Sequence, residues 1–349
     1  AQYPFTGLSV PSYLTGKIYR TGSLKDFQLE AKTGGLSEIL RQAGYSTASY
    51  SPNRTGFWSH NNASRIFATS DAFKGDVEKT FALVSAVRAA PEPLRMDVQH
   101  FVSRVLWGGQ NDYSYYGRKS VPLMEQFLAD EEGRSGEGHY NYVHLLLPHP
   151  TFIWSGDCVI EGQTNYLEQA ECASRLMKRF IAKLKDLGRY ENSIILLHSD
   201  HGSRLDSDSA NPVTTFTQQV KSAYASPDNE YSASEVINKL NALFLIKPMG
   251  EGKRPLEVSE QIVQLVDIPA TVLGLLGMEA PLGEGKEIFS NYQERDVPVF
   301  VPTLSISTIR NQTNLSGEEE KVGVFNHFSF SRERGWEIHP EIDIFHEGW

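Results

Sequence analysis

The sequence predicts an α/β fold with a mostly parallel central sheet and helices on both faces. Short runs of apolar, β-branched or aromatic residues alternate with longer stretches of helical periodicity, which is typical of strands connected by helices. The 349 residues, 40% of them hydrophobic, are enough for one large domain with a sizeable core. Beyond about Glu294 the chain becomes strand-like and polar, so we expect a main domain over residues 1–293 and a small C-terminal appendage over residues 294–349.

The strands and helices follow from local patterns. Four short runs are predicted to be strands, namely Ser46–Tyr50, Tyr142–Leu147, Ser193–His198 and Ala242–Ile246. The clearest helix is predicted over Tyr166–Leu187, where apolar residues recur every three or four positions and Gly188 follows as its terminator. A second helix is predicted over Ser259–Leu276. Because the first of these helices leads into the strand ending at His198, the residues after His198 should lie at a strand's carboxyl end.

The composition limits the partners of this chain. A formal net charge of -10 excludes a nucleic-acid binder, which needs a basic surface for the phosphate backbone. No apolar run approaches the roughly 18 residues that cross a bilayer, so no transmembrane segment is predicted. Any anionic substrate must therefore be bound by local groups.

Two cysteines, Cys158 and Cys172, are too few for a disulfide scaffold and lack a CxxC spacing. They form one disulfide or none. A disulfide would close a loop of 13 intervening residues and would imply an oxidising compartment.

The strongest local signal is the sequence Ser199-Asp200-His201-Gly202, directly after a predicted strand. A carboxylate and an imidazole at a strand's carboxyl end can bind a metal ion. The alternative is an Asp-His-Gly turn that only shapes the loop.

Four segments resemble, in order, the sulfatase-like hydrolases and transferases of the alkaline phosphatase superfamily. They are TGLSVPSYLTG at 6–16 with LRQAGYST at 40–47, HLLLPHP at 144–150, SDHG at 199–202 and VQLVDIPATVLGLLG at 263–277. The resemblance implies the fold of these enzymes and a catalytic domain over residues 1–293. It also implies metal-dependent ester cleavage or transfer.

The resemblance places the nucleophile near the start of the chain. In sulfatases it is a formylglycine made from Cys or Ser, ten residues ahead of the glycine that ends a Leu-Thr-Gly sequence, and ten residues before Gly16 is Thr6. Threonine cannot become formylglycine, which favours the branch of phosphoethanolamine and phosphoglycerol transferases, whose nucleophile is an unmodified threonine. Ser9 is the alternative, because Ser9-Val10-Pro11 resembles the modified core, although Tyr13 replaces its arginine.

The residues around Thr6 fit this role. Pro11 suits the first turn of a short helix ending at Gly16, which would place Thr6 just ahead of a helix N-terminus with free amides for a phosphate. A threonine hydroxyl needs a base or a metal ion for activation. By resemblance, Thr6, Asp200 and His201 would bind the metal.

Other polar residues are candidates for substrate binding. By resemblance, His149 would contact the phosphate or the leaving group, and a histidine can also act as general acid. Arg204 could bind a phosphate, and His198 is a supporting candidate on the predicted strand. The alternative for His149 is a loop histidine between two prolines, and the alternative for Arg204 is an exposed loop arginine.

The sequence also departs from the family's pattern. The first strand and its acidic metal ligand are expected ahead of Thr6, where only AQYPF stands, so we expect this strand to be missing. The transferases' additional histidine, about a dozen residues beyond Gly202, is absent too. A histidine among the ligands favours zinc or manganese over calcium.

These observations predict a metal-dependent phosphotransferase or phosphodiesterase acting on phosphorylated or sulfated lipid head groups or cell-surface glycans. An extracytoplasmic location is expected, with a membrane anchor or a further segment outside this chain. The alternatives are a sulfatase that uses Ser9 and a catalytically inactive module that binds or assembles.

Overall fold

The computed structural model describes residues 1–20, 22–52, 63–68, 117–136, 138–203, 238–279, 283–289, 295–302, 320–331 and 335–346, with a few isolated positions between 85 and 98. The chain forms two compact units. The first unit comprises Ala1–Ile39 and Glu191–Trp349, and the second comprises Leu40–Tyr190. None of the helices in the described ranges has both the length and the apolar character to span a bilayer.

The second unit contains the parallel sheet. Strand β1 (Ser46–Ser51) lies between β2 (Arg65–Ala68) and β3 (His139–Val143), and pairs in parallel with both. The strand predicted over Tyr142–Leu147 is wrong in its bounds, because pairing begins at His139 and ends at Val143. The N–H of Leu146 donates instead to Ser120 Oγ, at 2.9 Å.

In the described part of the second unit, helix α4 (Ser120–Gly133) packs against helix α5 (Tyr166–Asp186). The predicted helix at Tyr166 therefore has the expected start, set by a capping box between Asn165 and Glu168. Its end is also as expected, because Gly188 takes the left-handed conformation at φ 67°. Leu167, predicted on the apolar face, is 73% exposed, since the buried stripe begins beyond it.

A disulfide joins Cys158 to Cys172 of α5, with 5.0 Å between their Cα atoms. It borders the core of the second unit, where Cys172 is fully buried. Buried core neighbours on the same cluster are Tyr50, Leu123, Met124, Phe127, Trp154 and Leu176. The bridge therefore ties the loop before α5 to the packed face of that helix.

The first unit begins with three helices, α1 (Thr6–Thr15), α2 (Leu24–Thr33) and α3 (Gly35–Gln42), the last of which continues into the second unit. Strand β4 (Ile195–His198) pairs with β5 (Phe244–Lys247). A 3₁₀ turn (Leu265–Asp267) leads into α6 (Ile268–Leu275). Strands β6 (Val297–Pro302), β7 (Glu320–Ser331) and β8 (Gly335–His346) form an antiparallel sheet.

Two predictions for the first unit need correction. The strand at Ser193–His198 was expected to be parallel, but the described partner of β4, the strand β5, runs antiparallel to it. The helix expected from Ser259 begins only after Gln264, whose N–H is capped by the carboxylate of Asp267 at 2.8 Å. Residues 259–261, ahead of that cap, are exposed and have no core surface to pack against as a helix.

Helix α1 starts earlier than predicted. It begins at Thr6 and contains Pro11 in its interior, although Gly16 ends it as expected, at φ 73°. Proline has no N–H to donate to the carbonyl four residues back, here that of Gly7. The side chain of Gln28, on α2, donates to this carbonyl at 3.0 Å. The tertiary contact thus replaces the missing helical bond.

The N-terminal segment packs on the C-terminal sheet. Tyr3 and Leu8 form a buried cluster with Tyr19 and Phe300, and the N–H of Phe300 donates to the carbonyl of Gln2 at 2.9 Å. Strand β6 therefore shares a core with α1. The predicted division at residues 293 and 294 stays a prediction.

Candidate active site

Thr6 is the first residue of α1, and its hydroxyl meets the Asp-His-Gly turn. Its Oγ1 lies 3.3 Å from Nε2 of His201, across 195 positions of sequence. Phe5, the N-cap residue, has no side-chain oxygen with which to cap the helix. The first amides of α1 thus have no side-chain cap, and they lie beside the partly buried hydroxyl of Thr6.

The imidazole of His201 is held in one tautomer. Its Nδ1 lies 2.7 Å from the carbonyl oxygen of Gly202. A carbonyl oxygen can only accept, so Nδ1 carries a proton, and the tautomer with that single ring proton has its lone pair at Nε2. That lone pair faces the Thr6 hydroxyl.

Asp200 completes the group from the same turn. Its Oδ1 accepts the backbone N–H of His201 at 3.0 Å, and its Oδ2 lies 3.6 Å from His201 Nε2. The side chains of both residues are about one quarter exposed, at 23% and 24%. A hydroxyl, an imidazole nitrogen and a carboxylate oxygen therefore converge at a place that solvent reaches.

Gly202 is required by close packing. A Cβ at this position would lie 1.9 Å from the carbonyl oxygen of Asn238, and the Gly202 N–H donates to the carbonyl of Lys239 at 2.6 Å. The ammonium of the buried Lys239 lies 4.6 Å from the centre of the Phe5 ring. Sequence reasoning missed Lys239, because no motif distinguishes it from a surface lysine.

His198 supports the turn from β4. Its ring meets the ring of Tyr13 edge-on, with 4.6 Å between centroids, so it links β4 to α1. Burial lowers the pKa of His198 and favours the neutral ring. This packing supports a positioning role better than the predicted substrate contact.

The Ser9 hydroxyl is bonded within the N-terminal segment. Ser9 is fully buried in α1, and its hydroxyl donates to the carbonyl of Tyr3 at 2.9 Å. His149 belongs to the second unit, where it is partly buried and its N–H donates to the side-chain oxygen of Gln169 at 3.2 Å. Arg204 lies outside the described residues.

Sequence comparison decides the family. The family model described as Sulfatase matches residues 2–278, which is more than half of the 349 residues. The chain belongs to the sulfatase family. This membership indicates an enzyme class that hydrolyses or transfers phosphate or sulfate esters. No curated protein sequence matches the chain.

Solved structures share the fold of this sulfatase-family chain. The phosphonate monoester hydrolase SpPMH from Silicibacter pomeroyi superposes with a TM-score of 0.55 and 13% identity, over 97% of this chain and 79% of its own. Ps i-CgsB in complex with k-i-k-neocarrahexaose gives 0.54 and 13%, over 97% and 76%. A Vibrio parahaemolyticus protein of the alkaline phosphatase superfamily gives 0.53 and 11%, over 97% and 72%. The predicted α/β, alkaline phosphatase/sulfatase-like fold is confirmed.

Members of the sulfatase and alkaline phosphatase families generally use divalent metal ions. Within the described ranges, no cluster of three or more His, Cys, Asp or Glu residues is arranged to bind a metal. Two distances at this site nevertheless match those expected between ligands of one cation. Two ligands of one tetrahedral zinc ion, each about 2.0–2.1 Å from it, lie about 3.3–3.4 Å apart. The distances from His201 Nε2 to Thr6 Oγ1 and Asp200 Oδ2, 3.3 and 3.6 Å, are close to that value.

Proposed function

We propose that this protein transfers or hydrolyses phosphate esters, with Thr6 as the nucleophile and with Asp200 and His201 holding a divalent metal ion. The observation that carries the proposal is the contact between Thr6 Oγ1 and His201 Nε2. It joins a hydroxyl at a helix N-terminus to the turn whose residue types can bind a cation.

The chain's own groups supply most of the required chemistry. The fixed tautomer of His201 presents Nε2 as an acceptor or a metal ligand, and Nδ1 stays bonded to the Gly202 carbonyl, as in the supporting contacts of metal-binding histidines. The first amides of α1 would receive the phosphate oxygens. A bound divalent ion would lower the pKa of the Thr6 hydroxyl and offset developing negative charge.

The reaction would proceed in two steps. Oxygen Oγ1 of Thr6 forms a bond to phosphorus while the bond to the leaving alcohol breaks, which gives a phosphothreonine ester. The Thr6 hydroxyl releases its proton to water and the leaving oxygen takes a proton from water, and a role for His149 as the donor stays a prediction. An acceptor alcohol or water then attacks phosphorus and releases Thr6.

Zinc or manganese is the proposed metal, because an imidazole nitrogen is among the donors. We propose lipid head groups or cell-surface glycans bearing phosphate or sulfate as substrates, and an extracytoplasmic site of action. The Cys158–Cys172 disulfide supports that location, since such bonds persist in oxidising compartments.

A sulfatase using Ser9 is the competing proposal. It would require Ser9 to lose its bond to the Tyr3 carbonyl and leave a fully buried position. The Thr6 hydroxyl needs no such rearrangement, because it already lies 3.3 Å from Nε2 of His201. Thr6 is therefore the better supported nucleophile.

Substitutions at Thr6 and Ser9 test the proposal. Turnover of a phosphodiester, bis(p-nitrophenyl) phosphate, and of p-nitrophenyl sulfate would be measured with added zinc or manganese. We expect Thr6→Ala to lose phosphodiester turnover by at least about 100-fold, and Thr6→Ser to keep part of it, because serine retains a hydroxyl. Ser9→Ala, which keeps the buried helix position, is the matched control and should retain turnover.

Intact-mass analysis separates the alternatives. A covalent phosphate adduct on Thr6 after rapid quenching would support the proposal. A formylglycine at position 9, with sulfate ester turnover that Ser9→Ala abolishes, would replace it with the sulfatase. No turnover of either ester by metal-loaded protein would favour the inactive module.

A further inference from the structure

Asp267 is a fully buried carboxylate with three donors from three separate segments. Its Oδ2 accepts the N–H of Gln264 at 2.8 Å, and its Oδ1 accepts the N–H of Lys286 at 2.9 Å. The guanidinium of Arg295, whose side chain is 22% exposed, pairs with the same Oδ1. Such a charge-assisted network fixes the relative positions of the segments that it joins.

One of these segments also holds the end of α1. The carbonyl of Gly16, just beyond α1, accepts the N–H groups of Glu284 and Gly285 at 2.7 and 3.3 Å. The side chain of Glu284 makes two bonds of 2.6 Å to Arg20. The loop of residues 283–286 is therefore bonded to Asp267 on one side and to α1 on the other.

The loop of residues 283–286 is already packed as closely as possible against the end of α1 and against the 3₁₀ turn. A Cβ on Gly283 would lie 2.0 Å from the Gly16 carbonyl oxygen. A Cβ on Gly285 would lie 2.1 Å from the carbonyl oxygen of Val266, which neighbours Asp267. Helix α1 also packs directly against the 3₁₀ turn and against α6. The loop thus sits in backbone contact with both of the parts that it connects.

Helix α1 carries this constraint to Thr6. Its ten residues span about 15 Å, with Thr6 at one end and Gly16 just past the other. Because Gln28 replaces the helical bond that Pro11 lacks, we expect α1 to move as one body, so that a shift or tilt at Gly16 displaces Thr6 against His201. A misplacement of about 1 Å can slow catalysis by roughly 100-fold.

We infer that Asp267, with Arg295, is a positioning residue that sets the placement of Thr6 against His201 through the loop of residues 283–286. This inference rests on the proposed function for its effect on catalysis. Its geometric part concerns only the Thr6–His201 contact and can be tested separately.

The experiment uses the full chain with ¹⁵N-labelled histidine. The imidazole signals of His201, assigned with His201→Gln, report the contact of Nε2 with Thr6 whether or not the protein turns over substrate. Three variants are compared, namely Asp267→Asn, Arg295→Lys and Leu176→Ala. The last is the control, because Leu176 is fully buried in the core of the other unit and takes no part in the Asp267 network.

Asp267→Asn keeps the size of the side chain and removes the charge that pairs with Arg295. We expect the His201 Nε2 signal to move and kcat for the phosphodiester to fall by roughly 10- to 100-fold, with KM changed by less than about twofold. Arg295→Lys keeps the charge but loses the guanidinium geometry, so a smaller loss of about threefold is expected. It keeps the test usable if Asp267→Asn does not fold.

Leu176→Ala should lower stability, and at temperatures below its unfolding transition it should change neither the His201 signals nor kcat. Unchanged His201 signals in both network variants, or an equal change in Leu176→Ala, would overturn the inference. If Thr6→Ala keeps full turnover, the proposed function fails, and the His201 signals alone then decide whether Asp267 positions α1.

Discussion

The side chain of Gln28 donates to the carbonyl of Gly7, which is the acceptor that Pro11 leaves without its helical donor. Gly7 is buried, so the carbonyl would otherwise lose its hydration without compensation. A single side chain from α2 thus allows a proline inside the helix that begins with Thr6.

Gln28→Ala should therefore lower the free energy of unfolding by about 1–2 kcal/mol, because a buried acceptor is left unsatisfied. In a Pro11→Ala background the helix regains an N–H for the Gly7 carbonyl, so the same change should cost much less. Urea unfolding of the four proteins measures this coupling. Equal costs in both backgrounds would contradict the compensation.

Asp200→Asn should reduce phosphodiester turnover by at least about 100-fold and lower the metal content. The fold should survive with a stability change of about 1 kcal/mol or less, because an Asn oxygen can still accept the His201 N–H that Asp200 accepts now. Thermal unfolding, metal content and turnover are measured on one preparation. Wild-type turnover and metal content in the variant would show that Asp200 only shapes the turn.

Replacing both Cys158 and Cys172 by serine should lower the free energy of unfolding by about 3 kcal/mol. The bridge closes a short loop, and its loss increases the freedom of the unfolded chain. Denaturant unfolding of the variant is compared with that of the wild type under oxidising and reducing conditions. The wild type should lose stability on reduction, and the variant, which has no thiols, should not.

His327 of β7 and His339 of β8, whose ring centroids lie 4.6 Å apart, should make stability depend on pH. Burial, with the charges of His339 and Arg20, lowers the pKa of His327 to about 4. The unfolded chain binds this proton near pH 6.5, so the folded state loses stability as the pH falls from about 6.5 to about 4. We expect His327→Gln to reduce this loss of stability by about 1 kcal/mol. The figure is small because the His327 side chain is partly exposed and solvent screens its charge.

Denaturant unfolding between pH 7 and pH 4 measures that difference. An identical slope for His327→Gln and the wild type would contradict the assignment.

The sequence predicted the elements whose signals are local. The start of α5 at Tyr166, its end before Gly188 and the end of α1 at Gly16 follow from capping and glycine preferences. The start of α1 was not predictable in this way, because the interior Pro11 is tolerated only through Gln28, which lies on another helix. Local propensity contains no information about such a partner.

The candidate site was likewise predictable from the sequence only in part. Residue type and the family resemblance were enough to indicate Thr6, Asp200 and His201 from the sequence. Only the folded chain brings Thr6 within 3.3 Å of His201, assigns the His201 tautomer through Gly202 and directs Ser9 into the interior. It also connects the buried Asp267 to the end of α1 through the loop of residues 283–286. Distances between residues far apart in sequence depend on packing and hydrogen bonds among many segments, whereas the type and order of residues are properties of the chain itself.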